Sequence, residues 1–539
     1  AGTDWPTYIN SNRVGNIQIT TTNSSVHAGI LLLAGSFELV ENFIGNVNGN
    51  GSIDFVLASP DTTAVFSGVH SVANGMVGIW ATFVKEVYVS TSSTGAVTTY
   101  GIFAGNSASY HIEYNSIGAW DLADAVTNST NKPLIGIYID TNSPVNGVIG
   151  NSICNITHLG TSTSNPLRGI WMNGINSGAF VANYNQIFKL TSFSSIPGTG
   201  SSASIIGISL TYGFKNIMGV WHNQIDSLIN LSPTAPVGII GIYYNDFSNG
   251  NDLVESNRIN NLILYTSSSS GFIEGIMANG GTVQYQNNMV AIGHDLSKDY
   301  SITGIHDAGG TNTYYFNSVF ISGHEVDGAN PTYAFYSVTT NSRIIKDNIF
   351  FNSRANSISG AGKHYAVRYA GTVANPPGLT SDFNLFRVDG EGGVMGYYNS
   401  ADISTMAQWR LATQHDNNSI SEDPVFMDPE CILPGAAYPD IHIDYNSATP
   451  VENAGSPIST VYEDYDTQPR DWYTPSDIGA DCDDFQTDDQ SGPLILYTPL
   501  IKTGSTTDRD LADVLITDAT GIEVSTFLPR IYYKRSTDG

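Results

Sequence analysis

The apolar residues of this chain fall in short runs that alternate with polar residues, and the runs recur together with a dipeptide and an amide. Nine times between residues 101 and 384, a Gly-Ile-type dipeptide is followed 13 to 18 residues later by an Asn. The dipeptides begin at Gly101, Gly136, Gly169, Gly207, Gly241, Gly275 and Gly304, with Ala334 and Ala366 as variants. The amides are Asn115, Asn151, Asn185, Asn223, Asn257, Asn288, Asn317, Asn348 and Asn384. Successive Asn residues lie 29 to 38 residues apart, a variable period that is typical of a solenoid with loops of different length.

Each period is predicted to form one turn of a β-solenoid. Segments such as 136–140 alternate as strands do, and no long stretch shows the 3.6-residue stripe of a helix. We therefore expect an all-β, right-handed parallel β-helix of about eleven turns over residues 1–492, with three short parallel strands per turn. One inward column should contain Ile137, Ile170, Ile208, Ile242, Ile276 and Ile305. The Asn residues should hold the corners, where amides of successive turns can form a hydrogen-bonded ladder.

Composition narrows the range of partners. The chain has 41% hydrophobic and 13% charged residues, with 54 Gly, so it has ample core material and a weakly charged surface. Its formal net charge of -28 argues against nucleic acids and anionic membrane surfaces, because these partners need a basic footprint. Neutral glycans, cations and other proteins remain. The longest apolar run, near residues 28–34, is too short to span a bilayer, and we expect no membrane insertion.

The three cysteines exclude a disulfide scaffold. Cys154 lies inside a predicted turn and is most simply a small packed residue. Cys431 and Cys482 flank the end of the predicted solenoid and could pair in an oxidising compartment, a question that only geometry decides.

Two segments near the end of the solenoid carry a family resemblance. Residues 409–428, WRLATQHDNNSISEDPVFMD, resemble a W…D..S…DP.F segment of secreted right-handed parallel β-helix (pectate-lyase-like) proteins, of the kind that Bacteroidota export by the type IX route. Residues 454–485, with AGSPI, Arg470 and DIGADCDDF, resemble the closing segment of the same proteins. The resemblance implies a β-helix fold and an extracellular or cell-surface location. It implies little about chemistry, because this fold hosts lyases, hydrolases, adhesins and inert stalks.

The sequence pattern of the chain changes after residue 492. Short β segments parted by Ser, Thr, Asp and Gly turns resemble an Ig-like or fibronectin-like module over residues 493–539. About 47 residues are only half of such a sandwich, so we expect a partial module and a natural protein that continues.

Strand alternation also predicts an outward stripe. If the Ile of each dipeptide points inward, the next residue points outward. That position is occupied by Trp80, Phe103, Tyr138, Trp171, Ser209, Tyr243, Met277, His306, Tyr336 and Arg368. Aromatic rings on a flat sheet can contact the C–H groups of sugars, so Trp80, Phe103, Tyr138, Trp171, Tyr243 and Tyr336 are candidate ligand-binding residues. The alternatives are that loops cover the stripe or that it is a protein interface.

Titratable residues suggest a catalytic alternative. Segments 293–295 and 323–325, Gly-His-Asp and Gly-His-Glu, are 30 residues apart and should stack in adjacent turns, where imidazoles and carboxylates could bind a metal or transfer protons. Basic residues concentrate between residues 343 and 387, and the same alternation places His364 and Arg368 on the outer face. The catalytic candidates are therefore His294, His324, His364 and Arg368. The alternative interpretation is a solvated corner and a charged face that offsets nearby acids.

Calcium is the one cofactor that the sequence suggests. Segment 46–54 imitates a calcium loop, but Asn replaces Asp at three ligand positions, which makes tight binding unlikely by chemistry alone. A better set of hard oxygen ligands is the acidic run at the end of the solenoid, with Asp464, Asp466, Asp481 and Asp483 as metal candidates. An acidic surface without a ligand is the alternative.

These observations favour a secreted or cell-surface structural or adhesive protein that binds glycans or sister proteins through flat outer faces. One alternative is a polysaccharide lyase or glycoside hydrolase, which should show a basic residue and acidic calcium ligands within reach of each other. Another is a subunit of an extracellular fibre, because solenoid ends can stack on one another.

Overall fold

The computed structural model is an all-β parallel solenoid of about 13 turns, slightly more than the eleven expected. It describes residues 6–45, 52–60, 62–92, 94–106, 109–121, 125–140, 145–173, 179–211, 218–245, 252–294, 296–433, 436–470, 475–487, 494–497 and 514–517. Each complete turn contributes strands to three parallel sheets, here named A, B and C, which enclose one continuous apolar core. The fold class of a parallel β-solenoid is therefore confirmed.

The strands of each sheet follow one another up the solenoid. Sheet A contains Thr7–Asn10, Phe37–Val40, Met76–Trp80, Ser109–Glu113, Val145–Ile149, Ala179–Asn183, Met218–Trp221, Asp252–Glu255, Val283–Gln286, Asn312–Tyr315, Arg343–Lys346 and Leu379–Asp382. Sheet B contains Arg13–Val14, Ile17–Thr21, Phe43–Gly45, Ile53–Leu57, Phe83–Lys85, Val87–Thr91, Ser116–Gly118, Val126–Asn128, Ser152–His158, Gln186–Ser192, Gln224–Asn230, Arg258–Leu264, Met289–Ile292, Ser318–Ile321, Ile349–Asn352 and Leu385–Val388. Sheet C contains Val26–Leu32, Thr63–Ser71, Ala96–Gly105, Leu134–Asp140, Leu167–Asn173, Ile205–Thr211, Gly238–Asn245, Phe272–Asn279, Ser301–Gly309, Thr332–Ser337, His364–Arg368, Gly393–Tyr398 and the antiparallel Ala401–Ile403.

A few short elements lie outside these sheets. Two-stranded pairs are formed by His324–Gly328 with Ala355–Gly360, Phe426–Asp428 with Asp440–Ile443, Ala448–Thr449 with Gln486–Thr487, and Leu494–Leu496 with Leu515–Thr517. The helical elements are the 3-10 turn Gly200–Ser202 and the α-helix Met406–Thr413. The last pair is the described part of the expected Ig-like module, so that module is not confirmed, and its boundary near residue 492 lies outside the described residues. No described helix is long and apolar enough to cross a membrane.

The predicted Ile column is confirmed. Ile137 pairs with Ile102 and Ile170 in sheet C, and the same register continues through Ile208, Ile242, Ile276 and Ile305, all fully buried. The Gly before each Ile is needed for close packing. A Cβ on Gly136 would lie 2.6 Å from the Gly169 carbonyl oxygen and 2.8 Å from a methyl group of Ile153 in sheet B. The dipeptide is thus where the inner surfaces of two sheets come closest.

The Gly position also interrupts the alternation of sheet C. Leu134 and Ile137 are three residues apart, yet both lie in the core, while Tyr138 is half-buried on the outside. A regular strand would place two residues separated by an odd number on opposite faces. The residue just before each Gly therefore lies on the outer face. The residue two positions after that Gly lies on the same face. We name these two outward positions the first and second outer columns of sheet C.

The Asn ladder is confirmed at the corner between sheets A and B. Asn115 donates from Nδ2 and from its backbone N–H to Oδ1 of Asn151, at 2.9 and 3.0 Å. Its second Nδ2 proton binds the Ile79 carbonyl oxygen of the preceding turn. The same pattern continues with side-chain distances of 2.9 to 3.0 Å through Asn185, Asn223, Asn257, Asn288, Asn317, Asn348 and Asn384. Each amide therefore satisfies buried backbone groups that the turn of the chain would otherwise leave unpaired.

The W…D..S segment closes the later end of the core. Thr405 caps the α-helix, which places Trp409, fully buried, against the last turn of the solenoid. The Trp409 indole donates to Asp416 Oδ2 at 2.8 Å, and Asp416 Oδ1 accepts from Ser419. The backbone N–H of Asn384 donates to the Ser419 hydroxyl, so the cap also ends the ladder. The residues that carried the family resemblance are thus explained by packing.

Residues 426–485, here called the C-terminal cover, fold back over the outer face of sheet B. Apolar side chains of the cover pack on outward residues of four turns: Met289, Ala291, Phe320, Ile349, Phe351 and Leu385. Arg470 is buried, donates to Asn287 Oδ1 at 2.9 Å and to the Gly479 carbonyl at 2.8 Å, and lies 4.0 Å from the Phe316 ring centroid. Its guanidinium thereby fixes the cover to the corner of the solenoid. Within this cover Cys482 forms no disulfide with Cys431, and Cys154 is a buried core residue as predicted.

Candidate functional site

The outward stripe is the second outer column of sheet C. Strand pairing places Phe103, Tyr138, Trp171, Ser209, Tyr243, Met277, His306, Tyr336 and Arg368 in register, turn after turn. The column continues upward to Tyr397 and downward to His70. The predicted alignment of nine of the ten residues is therefore confirmed. Whether any of them binds a ligand stays a prediction.

Trp80 was placed on the wrong sheet. Gly78-Ile79 imitates the repeating dipeptide, but its strand belongs to sheet A, where Trp80 pairs with Val40 and Glu113. The dipeptide of that turn is instead Gly68-Val69, which puts His70 in the stripe. This turn has Val where most turns have Ile, so a pattern defined by Gly-Ile does not include it.

A loop divides the stripe into two parts. Residues 193–204 lie over its middle, where Ala203 packs against Ile206, Ile240 and Tyr243, and Tyr243 is only 3% exposed. Arg168, fully enclosed in the first outer column, holds this loop by donating to the Ser201 carbonyl at 2.9 Å. Burial lowers the pKa of Arg168 to about 9. The alternative that loops cover the stripe is thus correct for Tyr243 and its neighbours. The loop leaves one patch of the stripe on each side of it.

The lower patch is mostly aromatic. His70 and Phe103 stack with centroids 4.3 Å apart, Tyr138 follows at 5.5 Å, and Trp171 meets Tyr138 edge to face at 5.2 Å. The Trp171 indole is held by the Thr211 hydroxyl at 2.9 Å. Burial raises the pKa of Tyr138 to about 12, so its hydroxyl remains a neutral hydrogen-bonding group.

The upper patch is built around a cation and is here called the arginine patch. The Arg368 guanidinium carbon lies 4.6 Å from the Tyr336 ring centroid and 4.8 Å from that of Tyr397, the residues directly below and above it in the column. Its Nη1 donates to the Tyr333 hydroxyl at 2.9 Å. Burial raises the pKa of Tyr333, so this phenol keeps its proton and can donate onward. The cation is thus presented in a fixed orientation by three tyrosines.

Charged and polar groups surround this cation. His306 stacks under Tyr336 at 5.0 Å, and its Nδ1 hydrogen bonds to Glu274 Oε1 at 2.9 Å. On the other side the Tyr365 hydroxyl donates to Asp402 at 2.8 Å, and Lys363 forms an ion pair with the same carboxylate. The arginine patch therefore contains donors and acceptors of both charges in a small area, although the chain as a whole is strongly acidic.

The ring geometry decides which part of each side chain meets solvent. The planes of His306 and Tyr336 differ by 3°, and those of Tyr333 and Tyr365 by 9°, at centroid distances close to the spacing between turns. Rings stacked in this way along the solenoid axis cover one another's faces. Tyr333 and Tyr365 are buried, and the Nε2 atom of His306 is buried as well. The partly exposed edges of Tyr336, Arg368 and Tyr397 remain for hydrogen bonding.

Sequence reasoning missed half of the arginine patch. Glu274, Tyr333 and Tyr365 belong to the first outer column, directly before a dipeptide. Simple alternation assigns that position to the inside. The signal that could have found them is the dipeptide itself, because a Gly in a strand interior often marks a bulge that changes which face the flanking residues occupy.

His364 does not face outward. It pairs with Thr332 in the column that also contains the core residues Leu134 and Leu167, and it is fully buried. Its ring nitrogens bind the Thr332 hydroxyl at 3.0 Å and Asn356 Oδ1 at 3.1 Å, and burial lowers its pKa to about 4. The predicted pairing of His364 with Arg368 on one face is therefore wrong, because the irregularity at Ala366 was not counted. His364 is a neutral structural residue.

The two corner histidines lie elsewhere, on the sheet B side. Gly293 and Gly323 stack as expected, and the Nδ1 of His294 lies 3.9 Å from Glu430 Oε2 of the cover. Burial raises the pKa of Glu430, and the nearby His294 and His324 rings act against that rise. Asp295 lies outside the described residues. His294 and His324 thus follow strands of sheet B, whereas Arg368 lies in sheet C, and the predicted grouping of these residues into one site is not observed.

The acidic metal candidates have structural partners. Asp464 accepts from the backbone N–H groups of Gln468 and Cys482, and Asp481 accepts from that of Ile443. Asp466 forms an ion pair with His442 at 3.1 Å. Asp483 accepts from its neighbour in the chain.

No three His, Cys, Asp or Glu side chains in the described part of the chain converge as a metal ion would require. A calcium site on the acidic run remains a prediction without support from this geometry. The calcium-like loop at residues 46–54 lies mostly outside the described residues.

Comparison with known proteins returned no match to a family model, to a curated protein or to a solved structure. The function of this chain is therefore argued from its own residues.

Proposed function

We propose that this protein is a non-catalytic, extracellular or cell-surface right-handed β-helix protein that binds glycans through the outer face of sheet C. The observation that carries the proposal is the arginine patch, a partly exposed group of tyrosines, one arginine, one histidine and two carboxylates held in register by the strands. Glycans offer many hydroxyl groups, which such edges and tips can bind as donors and acceptors.

The partners of Arg368 favour binding over catalysis. Its guanidinium is occupied on both faces by tyrosine rings and donates to a third tyrosine, so it is held as a fixed donor. A general base needs a free lone pair, which a guanidinium lacks in its protonated form. The described residues also offer Arg368 no cluster of acidic metal ligands, the arrangement expected of a calcium-dependent lyase.

Glycan-array binding and retention on the polysaccharide that binds best would test this proposal. Arg368→Gln removes the charge and its directed donors, and Tyr336→Ala removes one supporting ring. We expect each variant to lose about tenfold or more in affinity, equal to roughly 1.4 kcal/mol, with an unchanged melting temperature. Lys85→Gln, which removes a cation from sheet B, is the matched control and should bind normally.

Three outcomes would contradict the proposal. Full retention by both variants would remove the arginine patch as the contact. Release of unsaturated or reducing sugars from the bound polysaccharide would favour the lyase or hydrolase alternative. A change only in sedimentation would favour the fibre alternative.

A further inference from the structure

Two tryptophans on sheet A lie flat over glycines of their own strands. A Cβ on Gly78 would lie 2.5, 2.7 and 2.8 Å from Cη2, Cζ3 and Cζ2 of Trp80. Three neighbouring ring atoms at nearly equal distance place that point over the face of the ring and not at its edge. Gly219 stands in the same relation to Trp221, whose Cε3 and Cη2 would be 2.7 Å away and Cζ3 closer still.

Each indole therefore rests one face on the backbone. Side chains two residues apart share a face of a strand, so any residue other than Gly at these positions would push the ring away. Gly78 and Gly219 are buried beneath the rings, while both tryptophans are half-buried. Among the described residues, neither indole N–H has a hydrogen-bond partner, and neither is buried without one. Within the described part of the chain, the opposite ring face and the N–H are therefore open to a ligand.

The two rings belong to one column of sheet A. Strand pairing connects Trp80 through Glu113, Ile149 and Asn183 to Trp221, four turns higher. At about 4.8 Å per turn, the rings are ~19 Å apart along the solenoid axis. A ligand that contacts both must therefore be long and extended.

The corner beside this column adds further aromatic surface. Tyr114 and Tyr184 are 65% and 57% exposed, and Tyr184 stacks on His222 with a plane angle of 3°. These side chains stand directly after the column in the chain and border it on one side. They would bound a ligand that runs along the column.

We propose that Trp80 and Trp221 form a binding site for a linear, uncharged polysaccharide whose sugar rings have equatorial linkages, such as a β-1,4-linked glucan. Pyranose rings linked in this way expose flat faces of C–H groups, which pack on an indole face, while their hydroxyl groups remain free for the indole N–H. Charge disfavours the acidic polysaccharides, because Glu113 lies between the rings, with the His111 ring 3.5 Å from its carboxylate, and the chain carries a net charge of -28. This site is on a different sheet from the arginine patch and does not depend on it.

Retention on insoluble β-1,4-glucan would test the site. Trp80→Ala and Trp221→Ala should each weaken retention about tenfold, and the double variant should abolish it, with unchanged melting temperature. Trp120→Ala removes another exposed tryptophan, which packs on Phe188, and should bind normally. Gly78→Ala keeps the indole but displaces it, and should weaken retention as Trp80→Ala does.

The outcomes separate this site from the arginine patch. Loss in the tryptophan variants with normal binding by Arg368→Gln supports the site on sheet A. Normal retention by the double tryptophan variant, or normal retention by Gly78→Ala, would overturn it. Loss in Arg368→Gln alone would overturn it as well, and would leave the function proposed for sheet C intact. A double variant that changes oligomeric state in place of retention would show a contact between copies and would also overturn the proposal.

Discussion

Sheets B and C have similar backbones but very different outer faces. In the later turns, most outward residues of sheet B are apolar, and the C-terminal cover buries them. The Ser318 hydroxyl on the same face accepts from the backbone N–H of Ala480 in the cover. In the same turns of sheet C, the second outer column ends in imidazole, hydroxyl or guanidinium groups, at His306, Tyr336, Arg368 and Tyr397, and these residues are partly exposed. The C-terminal cover thus removes the apolar outer face of sheet B from water. An aromatic face with polar tips needs no such cover and can remain open for a ligand.

Phe351→Ala should cause the largest loss in the free energy of unfolding. Phe351 is 5% exposed and contacts Phe320 and Phe426, with ring centroids 5.1 and 6.3 Å away. Loss of its ring should lower the free energy of unfolding by about 3–5 kcal/mol, because the cover cannot fill the cavity. Denaturant unfolding checks this value. A loss below about 1 kcal/mol would show that the cover is loosely packed and that the comparison with sheet C is mistaken.

Arg470→Met should have the next largest effect. The substitution leaves the Asn287 amide and the Gly479 carbonyl without their donor and leaves nearby buried carboxylates without a cation. We expect a loss of about 3 kcal/mol and faster proteolysis within residues 426–485. Limited proteolysis followed by mass determination locates the cuts. Arg410→Met, which removes an arginine from the helical cap, is the control and should not open the cover.

Alkaline pH should loosen the cover and leave the arginine patch of sheet C unchanged. Burial alone would lower the pKa of His442, but hydrogen bonds to Asp440 and Asp466 outweigh it and raise the pKa to about 10. Burial also raises the pKa of Asp347 and Asp477 to about 8. For all three groups the folded pKa exceeds the unfolded pKa, so their stabilisation is complete below the unfolded pKa and is lost as pH rises through the folded one.

The free energy of unfolding should therefore fall from pH 3.8 to about 8 as the Asp347 and Asp477 carboxyl groups ionise. It should fall further between pH 6.5 and about 10 as His442 loses its proton, a contribution on the order of 2 kcal/mol after allowance for its partial exposure. Hydrogen exchange of the cover at both pH values provides the measurement. His442→Gln should flatten the upper part of the pH profile. A profile that the substitution does not change would mean that the ion pairs of His442 contribute nothing to docking.

Tyr336→Ala should have the smallest effect on stability. Its ring is half-buried on the open face, so we expect a change within about 1 kcal/mol in the same denaturant experiment. A loss as large as that of Phe351→Ala would show that the arginine patch is packing that maintains the fold, and the distinction between the two faces would then disappear.

Much of the fold could be predicted because its determinants repeat. The Ile column, the Gly positions and the Asn ladder each depend on one residue type that recurs once per turn, and all three were read from spacing alone. Local mistakes followed from the same rule. Trp80 was misplaced because Gly78-Ile79 imitates the repeat on another sheet, and His364 was misplaced because an irregular position reverses the alternation.

The site was harder to predict than the fold. The arginine patch depends on contacts such as that between Arg368 and Tyr333, which lie 35 residues apart and require an exact register. The docking of the cover joins Asn287 to Arg470 across 183 residues, and no local pattern announces such a pairing. Repetition reveals columns within a sheet, but it does not reveal which segment will lie over them.

The side-chain amides of the Asn ladder also form a row of aligned dipoles along the solenoid. Every side-chain amide donates toward the later turn and accepts from the earlier one, so the amide dipoles point the same way along the whole row. Aligned dipoles act as a partial positive charge at the end where their N–H groups point, as they do in a helix. That end is Asn384, whose Nδ2 lies 3.2 Å from the carboxylate of Asp416. The buried side chain of Asp416 beneath Trp409 is thus the hydrogen-bond acceptor on which the row of amides ends.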